Sequence, residues 1–533
     1  MHDHKSHYIK NLLLPCLLFS IATGIFSALF ITAFKWVAEE VIHLSLLIYD
    51  AVRAYPIWLF CLLIGTAAIG LISSLILSLF PTCRGGGIPT TITAIKGVTD
   101  IKWLSSAFVL PISAFLTFLC GIPLGTEGPC VQMGSAVGDG TVRILGGKKN
   151  VGWRRYIMTG GACAGFSLAT GAPISAILFS MEELHKRFSP LLFSVASISV
   201  ISGQITAQLL SKLGIGSLGL FHIKAIPTLP YAMLFIPIVV GIVCGACSVL
   251  FSHLYLRFDK LIRIKLSSIS IKIKFPLIFA CIALVGFFFS EALGSGHALI
   301  DHLLGEYLYD THSLWYILII VFLMRAIFMM IANTAGVTGG IFLPTLAFGA
   351  IVGALCAEAF IAMGVIESEY YVLLVVIGMT AFLGASSRIP LTACVFAIEA
   401  LCGINNIIAI IVAIVSAFLI VELSGFDDFT EEVVKAKTHA IHAGKEPYVI
   451  EVPLTVYKNS FVIDKELRDI LWPASCVVLS IERGPNHSDK HTIAEGDILT
   501  VHYKTYDPIA TAEEFEVLVG DQTEEIDRIM RSL

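Results

Sequence analysis

Charged residues are scarce in this sequence. Of its 533 residues, Asp, Glu, Lys and Arg make up 14%, whereas hydrophobic residues make up 56%. Soluble globular domains carry about 25% charged residues, so the composition excludes an ordinary soluble protein. The net charge of -5 is small for this length and gives no indication of nucleic-acid binding.

Signals of an enzyme or a metalloprotein are also missing. The sequence contains no nucleotide-binding loop and no recognisable nucleophile motif. One C-x-x-C pair occurs, Cys244 with Cys247, but no second pair completes a metal site. We therefore predict no enzymatic activity, no cofactor and no metal.

Long apolar segments are abundant instead. A helix needs about 20 apolar residues to cross a bilayer, and five segments come close to or exceed that length: residues 12–36, 57–79, 232–251, 314–332 and 341–363. The first is too long for a removable signal peptide and lacks its cleavage site. The sequence therefore predicts an all-α polytopic membrane protein.

The character of the sequence changes near residue 425. The runs YVIEVPL, CVVLSIERG and DILTVHY alternate apolar and polar residues, as strands do. Between the first two, DKELRDIL has helical spacing. We predict a membrane domain over residues 1–442, ending in a charged helical connector at 430–442, and a small soluble α+β domain over residues 443–533.

Three glycine- and proline-rich stretches interrupt the apolar segments: RGGGIPTT at residues 84–91, GTEGP at 125–129 and TGGIFLP at 338–344. Non-helical backbone at membrane depth is tolerated only inside protein or along a cavity. Each stretch puts a proline near the first turn of a helix, and the N–H groups of such a turn attract anions. Several converging helix starts would bind an anion without lysine or arginine.

Matching positions indicate an internal repeat. A shift of 215 residues places Gly125 on Gly340, and a shift of 217 places Glu182 on Glu399, which favours a structural role for Glu182. Paired broken segments in two halves are expected of a repeat-built transporter with its site at the repeat interface. The shifts do not distinguish inverted from parallel repeats.

In this order and at these separations, GGGIP, GTEGP and GGIFLP resemble the anion-pathway motifs of the CLC family of chloride channels and chloride/proton antiporters. ATGAPISAILFSMEEL and GASSRIPLTACVFAIEA resemble the segments that follow the second and third motifs. The resemblance implies a homodimer in the plasma (inner) membrane, with cytoplasmic termini. Each subunit would hold one anion pathway, built from two inverted repeats of tilted, broken helices.

The resemblance implies roles for two acids. In the family, the glutamate of the second motif, here Glu127, blocks an anion site when ionised and swings away when protonated. Glu183 falls on the internal proton-relay glutamate of the antiporters. The alternatives are a helix-capping acid for Glu127 and, for Glu183, an ion pair with Lys186 or Arg187 at helical spacing.

The resemblance also implies which residues line the anion pathway. They fall in the three motifs and at the family's pore tyrosine, whose best match is Phe429. The expected anion-binding residues are Gly85, Gly86, Gly87, Ile88, Pro89, Gly125, Gly128, Gly340, Ile341, Phe342 and Phe429.

Three positions depart from the family's pattern. Gly86 stands where a serine is usual, Thr126 where an arginine is usual, and Phe429 where the tyrosine is usual. Without both hydroxyls, the central anion would be held mainly by backbone N–H groups. We therefore expect weak central chloride binding, with loose proton coupling or a preference for another anion.

The predicted function is chloride/proton antiport through a gating glutamate. A passive voltage- or pH-gated chloride channel is one alternative, and an exchanger for another anion such as fluoride or nitrate is a second. A sodium-coupled transporter would surround its cation with carbonyl and carboxylate oxygens, whereas these helix starts present N–H donors.

The tail from about residue 446 to residue 503 resembles the ligand-binding C-terminal module of potassium-uptake regulators (TrkA-C/RCK-C-like). The matching pattern is VYKNSFVIDKELRDI…CVVLSIERG…IAEGDILTVHY. This resemblance implies a regulatory domain that dimerises and binds a small cytosolic ligand. A lobe that only stabilises a dimer is the alternative.

Overall fold

The fold was analysed in a computed structural model. It describes residues 13–146, 152–216, 219–221, 223, 226–265, 269–305, 315–401, 403–426, 428–442, 444, 446–458, 460–484 and 492–520.

The chain up to residue 442 is helical. Its α-helices, in chain order, are α1 (Leu14–Ala54), α2 (Leu59–Leu79), α3 (Ile88–Ile95), α4 (Trp103–Leu119), α5 (Glu127–Thr141), α6 (Arg154–Thr170), α7 (Pro173–Phe179), α8 (Pro190–Lys212), α9 (Phe235–Lys265), α10 (Ile271–Phe288), α11 (His297–Leu304), α12 (Trp315–Ala335), α13 (Phe342–Ala362), α14 (Tyr371–Ser386), α15 (Pro390–Ala400), α16 (Ile407–Leu423) and α17 (Phe429–Ile441).

Nine helical segments of the described chain are long and apolar enough to cross a membrane. All five predicted spans coincide with such segments, although Leu12 and Leu314, the first residues of two of them, lie outside the described residues. The prediction ended the first helix too early, because α1 continues to Ala54 and carries Glu39. The protein is therefore a multi-pass membrane protein, as predicted.

Reciprocal contacts relate the two repeats. The Glu182 carboxylate accepts backbone N–H groups of the first turn of α15 at 3.0 and 2.7 Å. The Glu399 carboxylate accepts those of the first turn of α7, both at 2.8 Å. Gly125 and Gly340 exchange two backbone hydrogen bonds of 2.7 Å in an antiparallel bridge. The same contact made in both directions places a pseudo-two-fold axis between the repeats.

Each repeat has a closely packed helix pair at its core. A Cβ built on Gly134 of α5 would overlap the Gly161 carbonyl of α6. In the second repeat, a Cβ on Gly349 of α13 would overlap the Gly378 carbonyl of α14. Small residues allow membrane helices to approach this closely and gain van der Waals contact. The two glycine pairs hold α5 against α6 and α13 against α14. Helices α5 and α13 are the ones that begin at the second and third motifs.

The C-terminal region contains an antiparallel sheet and a helix. Strands β1 (Tyr448–Thr455), β2 (Cys476–Glu482) and β3 (Ile498–Thr505) lie in the order β1-β3-β2, and α18 (Pro508–Val519) follows them. The three predicted strands are confirmed, and so is the helical connector, which is α17.

The helix predicted for DKELRDIL is wrong. The segment forms only a three-residue 3-10 turn, Leu467–Asp469. Its first two residues pair with the chain that precedes β3: the Asp464 N–H donates to the Ile493 carbonyl, and the Ile493 N–H donates to the Lys465 carbonyl, both at 3.0 Å. These long-range hydrogen bonds and the left-handed backbone of Asp464 (φ 64°) exclude the helix that the spacing predicted.

The same segment attaches the C-terminal region to the membrane domain. The Tyr156 hydroxyl donates to the Asp469 carbonyl at 2.5 Å, and the Ser189 hydroxyl donates to the Asp469 carboxylate at 2.7 Å. The Arg187 guanidinium donates to the Ile470 carbonyl at 2.9 Å. We call this side of the membrane domain, defined by Tyr156, Arg187 and Ser189, the domain face.

Candidate functional site

The three glycine-rich motifs meet in space. A Cβ built on Gly87 would overlap the carbonyl of Gly128, and one on Gly128 would overlap the carbonyl of Gly86. A Cβ on Gly340 would lie 2.5 Å from the Gly128 nitrogen. Because the backbones touch, a side chain at Gly87, Gly128 or Gly340 would force the motifs apart. The structure thus brings together residues from all three predicted motifs.

Three helices begin at this meeting point. Helix α3 starts at Ile88 with Pro89 in its first turn, α5 starts at Glu127, and α13 starts at Phe342, directly after Ile341. The first N–H groups of a helix lack intrahelical acceptors and carry partial positive charge. Their arrangement suits an anion.

The Glu127 carboxyl group lies at the start of α5 and is fully buried. Its Oε1 accepts the Thr126 hydroxyl at 3.3 Å, and its Oε2 has no hydrogen-bond partner among the described residues. A Cβ on Gly125 would overlap this Oε2, so a side chain at 125 would displace the carboxylate from this position. Buried polar atoms are usually hydrogen-bonded, and helix capping uses only one carboxylate oxygen, so capping does not explain the unpaired Oε2.

A cavity of about 390 Å³ reaches Glu127. Two cationic groups line it. The Lys35 ammonium donates to the Leu168 and Ala169 carbonyls near the end of α6, at 3.2 and 3.1 Å. The two ring nitrogens of His297 lie 2.8 Å from the Asp301 carboxylate and 2.5 Å from a backbone carbonyl. Since both partners are acceptors, both bonds form only with the imidazolium.

These two cations stand near the position where Thr126 replaces the family's arginine. Neither Lys35 nor His297 was among the residues predicted from the sequence. The available signal was Lys35 itself, a lone basic residue inside an apolar run of membrane length.

The cavity lies far from the domain face. Helix α1 begins beside the C-terminal region, where Cys16 and Phe19 share an apolar cluster with Leu471. It reaches the cavity at Lys35, 16 residues after Phe19, which corresponds to roughly 24 Å of helix. Glu127 is therefore approached from the side opposite the domain face.

Glu183 is on the domain-face side, four residues after α7, and is only 4% exposed. Its Oε2 has no hydrogen-bond partner among the described residues. The Lys186 ammonium contacts Asp428 at 2.9 Å and also contacts Glu431, and Arg187 binds a carbonyl of the C-terminal region. The ion-pair alternative for Glu183 is therefore not supported, because both cations engage other groups.

An amide lies where a side chain at position 86 would point. A Cβ built on Gly86 would be 3.6 Å from Oδ1 and 3.8 Å from Nδ2 of Asn333, near the end of α12. These are ordinary van der Waals distances. Asn333 was not among the residues predicted from the sequence, although a lone amide in the apolar run MMIANTAG was a signal.

Phe429 is the first residue of α17 and is buried. Its ring packs edge-on against Tyr255 at 4.3 Å between centroids and against Phe251 at 6.1 Å. Farther along α17, the Lys437 ammonium lies 3.6 Å from a Cβ built on Gly85. Helix α17 thus reaches the first motif through Lys437, whereas the Phe429 ring packs against α9.

Three converging broken-helix starts, with a buried carboxylate among them, define a class: membrane transport proteins built from inverted, broken-helix repeats. The family model described as "Voltage gated chloride channel" matches residues 69–422. The chain belongs to this family.

Two relatives show the extent of the similarity. The H(+)/Cl(-) exchange transporter ClcA of Citrobacter koseri is 27% identical over 423 residues, which cover 78% of this chain and 86% of the relative. ClcA of Yersinia pestis bv. Antiqua (strain Angola) is 28% identical over 417 residues, which cover 76% of this chain and 83% of the relative.

Two crystal structures show the shared fold. A slow cyanobacterial Cl-/H+ antiporter superposes with a TM-score of 0.69 at 22% identity, covering 79% of this chain and 98% of the other. A CLC-type fluoride/proton antiporter superposes with a TM-score of 0.59 at 17% identity, covering 77% and 96%. The membrane domain has the CLC transporter fold.

Proposed function

We propose that this protein exchanges chloride for protons across the membrane. The observation that carries the proposal is a pair of buried carboxyl groups on opposite sides of the membrane domain, Glu127 and Glu183, each with an oxygen that lacks a described hydrogen-bond partner. Ionisable groups at membrane depth are usually functional. The relatives named H(+)/Cl(-) exchange transporters support the same activity.

The geometry supports a gating mechanism for the proposed exchange. The ionised Glu127 carboxylate is itself an anion at a helix start and competes with chloride for the positive ends of α3, α5 and α13. Protonation removes that charge and lets chloride take its place. Chloride beside the carboxylate in turn favours protonation, because like charges disfavour ionisation. Anion binding and proton binding are therefore linked at one position.

Reconstitution into liposomes tests this function. With a chloride gradient and no pH gradient, an antiporter drives protons against their electrochemical gradient, and its reversal potential moves with pH. A passive chloride channel would show a reversal potential that ignores the pH gradient. Repeating the assay with fluoride and with nitrate identifies the preferred anion.

We propose that the backbone N–H groups of Ile341 and Phe342 hold the central anion together with the Asn333 amide. Losing a hydrogen bond to a charged group costs about 1.5–3 kcal/mol, or roughly 10- to 150-fold in affinity. Asn333→Ala should therefore weaken chloride binding by at least about tenfold. Isothermal titration of chloride into the purified protein measures this.

Gly86→Ser in the Asn333→Ala protein should restore part of the binding. Gly86 is not in the left-handed region, and a Cβ there meets no atom closer than 3.6 Å, so serine fits. In the otherwise wild-type protein the serine should strengthen binding less. Thr334→Val, a change at the adjacent residue, is the matched control. Unchanged affinity in Asn333→Ala would show that other groups hold the anion.

We also propose how the protein is oriented in the membrane and that it is a homodimer. Basic residues crowd the domain face, among them Arg154, Arg155, Lys186 and Arg187, and cytoplasmic loops carry such an excess. We therefore place the domain face and both termini in the cytoplasm, with the protein in the plasma (inner) membrane. The family resemblance supports a homodimer with one pathway per subunit, which cross-linking in the membrane would test.

We further propose that residues 443–533 form a TrkA-C-like regulatory domain that binds a small cytosolic ligand, after a membrane domain of residues 1–442. Within this range, residues 443, 445, 459, 485–491 and 521–533 lie outside the described residues. The described sheet and helix support this assignment. So does their attachment, because Arg187 and Ser189 follow Glu183 closely and both contact the C-terminal region.

Lys465 makes this attachment sensitive to pH. Its side chain is buried against the Phe461 ring, 3.6 Å from the centroid, and near the Trp153 ring of the membrane domain. Burial lowers the pKa of Lys465 from 10.5 to about 7, although Asp464 and Asp469 oppose that change. Between pH 7 and 10.5, Lys465 therefore carries a proton when it is exposed in the detached state but not when it is buried in the attached state.

The attached state should therefore gain stability as pH rises through this window, by up to about 1.4 kcal/mol per pH unit, and be least stable below pH 7. Lys465→Met should abolish the dependence and stabilise the attachment. The rate at which a protease cleaves the full protein at several pH values measures the stability of the attachment. Lys458→Met, a change at an exposed lysine, is the control. A pH dependence that survives Lys465→Met would refute the assignment.

A further inference from the structure

The cavity that reaches Glu127 is lined by charged groups from two helices outside the three motifs. Lys35 and Glu39 come from α1, and His297 and Asp301 come from α11. Glu127 lines the same cavity, is fully buried, and has an oxygen without a described hydrogen-bond partner. An anion that approaches Glu127 from this side therefore passes these four charged groups.

Charges on the wall of this cavity act strongly on an anion inside it. A cavity of about 390 Å³ is about one Debye length across, which is roughly 8 Å at physiological ionic strength. Salt therefore screens the wall charges only in part. Their sum sets the local concentration of chloride, because a cleft lined by charge concentrates ions of the opposite sign.

His297 decides the sign of that sum. The described charged and titratable groups on or directly behind the wall are Lys35, Glu39, His43, Glu127, His297, Asp301 and Arg325. With Glu127 protonated and His43 neutral, three cations face two carboxylates, so the cavity is positive. Loss of the proton on His297 leaves two cations and two carboxylates, and the attraction for chloride falls.

Lys35 supplies a cation in a fixed position. Its ammonium donates to the Leu168 and Ala169 carbonyls at 3.2 and 3.1 Å. An ammonium has three N–H donors, and the third has no acceptor among the described residues. That N–H is left for an anion in the cavity.

His297 supplies a cation that depends on pH. Its Nδ1 lies 2.8 Å from the Asp301 carboxylate and its Nε2 lies 2.5 Å from the Leu220 carbonyl. Loss of one proton turns a ring nitrogen into an acceptor that faces another acceptor, so it breaks one of these bonds and removes the positive charge. Histidine is the side chain that ordinarily changes charge near neutral pH.

We propose that Lys35 and His297 form a capture site for chloride and similar small monovalent anions in this cavity, and that the site weakens when His297 loses its proton. The site rests on the proposed exchange, since chloride must reach Glu127 through this cavity. Lys35 contributes a permanent charge and an N–H donor. His297 makes anion capture respond to the pH of the solution that fills the cavity.

Lys35→Met should raise the chloride concentration for half-maximal exchange at least about fivefold and lower the maximal rate less, because a charged cleft acts by raising local ion concentration. Lys35→Arg, which keeps the charge, should retain most of the affinity. Equilibrium exchange of isotopic chloride in liposomes, with equal pH and chloride on both sides, measures both quantities. An impermeant salt such as sodium gluconate should shrink the difference, since salt screens charge but does not replace packing.

The pH dependence is measured in the Glu127→Gln protein, where the gating acid no longer titrates. At limiting chloride, exchange should slow at least about threefold as pH rises from about 5 to 9, around and above the usual range of histidine. Adding His297→Gln should make exchange slow at every pH, and adding His297→Lys should keep it fast at every pH. His43→Gln, at an exposed histidine of the same cavity, is the matched control and should keep the pH dependence.

Unchanged half-saturation in Lys35→Met, with only a lower maximal rate, would overturn the capture site and give Lys35 a structural role. A pH dependence that survives His297→Gln, or that vanishes in His43→Gln, would overturn the assignment to His297. If His297→Gln does not fold, a pH dependence that survives His297→Lys has the same meaning. A folded Glu127→Gln protein that exchanges no chloride at any pH would overturn the proposed gating and the capture site together.

Discussion

Glu127→Gln should uncouple the two ions, leaving anion flux in liposomes while chloride-driven proton movement falls to the background of empty vesicles. The amide has nearly the shape of the protonated carboxyl group but cannot release a proton. It also removes the negative charge that competes with chloride for the helix starts. The variant should therefore bind chloride more tightly than the wild type.

Glu39→Gln is the matched control for this variant. Glu39 lines the same cavity but lies on α1, outside the three motifs. Replacing Glu39 changes the charge of the cavity but not the place where the three motifs meet, so proton coupling should persist. A Glu127→Gln protein that still drives protons uphill with chloride would refute the gating role of Glu127.

Glu183→Gln should also abolish proton transport while chloride exchange continues. The glutamine fills the same buried space, but no carboxyl group remains to pass the proton inward. Because Glu183 lies on the opposite side of the membrane domain from the cavity, the chloride pathway at Glu127 is untouched. Proton uptake and chloride efflux, recorded together from one liposome preparation, measure both effects.

The adjacent Glu182→Gln provides the contrast. Glu182 caps α15 across the repeat interface with two charge-assisted hydrogen bonds. Its loss should lower thermal stability, by about 1.5–3 kcal/mol per weakened bond, while coupling persists in the folded fraction. If Glu183→Gln instead lost stability and kept proton coupling, Glu183 would be a structural residue.

Several features could be predicted because they depend on local patterns. Membrane-length apolar runs, the breaks at Gly and Pro and the alternating strands of the tail each lie within one stretch of sequence. The repeat was visible as well, since Gly125 with Gly340 and Glu182 with Glu399 recur at nearly one spacing. DKELRDIL was predicted wrongly because its hydrogen-bond partner, Ile493, lies outside that stretch.

Other features depended on contacts between distant segments. Lys186 and Arg187 have helical spacing to Glu183, and only the folded chain shows that they bind Asp428 and the C-terminal region instead. Likewise, the departure at Gly86 predicted a central anion held mainly by backbone N–H groups, without a side chain from position 86. The tertiary structure places the Asn333 amide there, from a helix more than 200 residues later.

The sequence by itself determined the class of protein, its family and the acids on which transport is proposed to depend. Composition, motifs and the order of the motifs can all be identified along the chain without knowledge of its fold. Only the tertiary structure decided which groups surround those acids. Little water is available at membrane depth to form hydrogen bonds with polar side chains. Each polar group therefore binds a partner that the packing of the helices brings near. Those partners come from distant parts of the chain, as the Leu168 and Ala169 carbonyls do for Lys35.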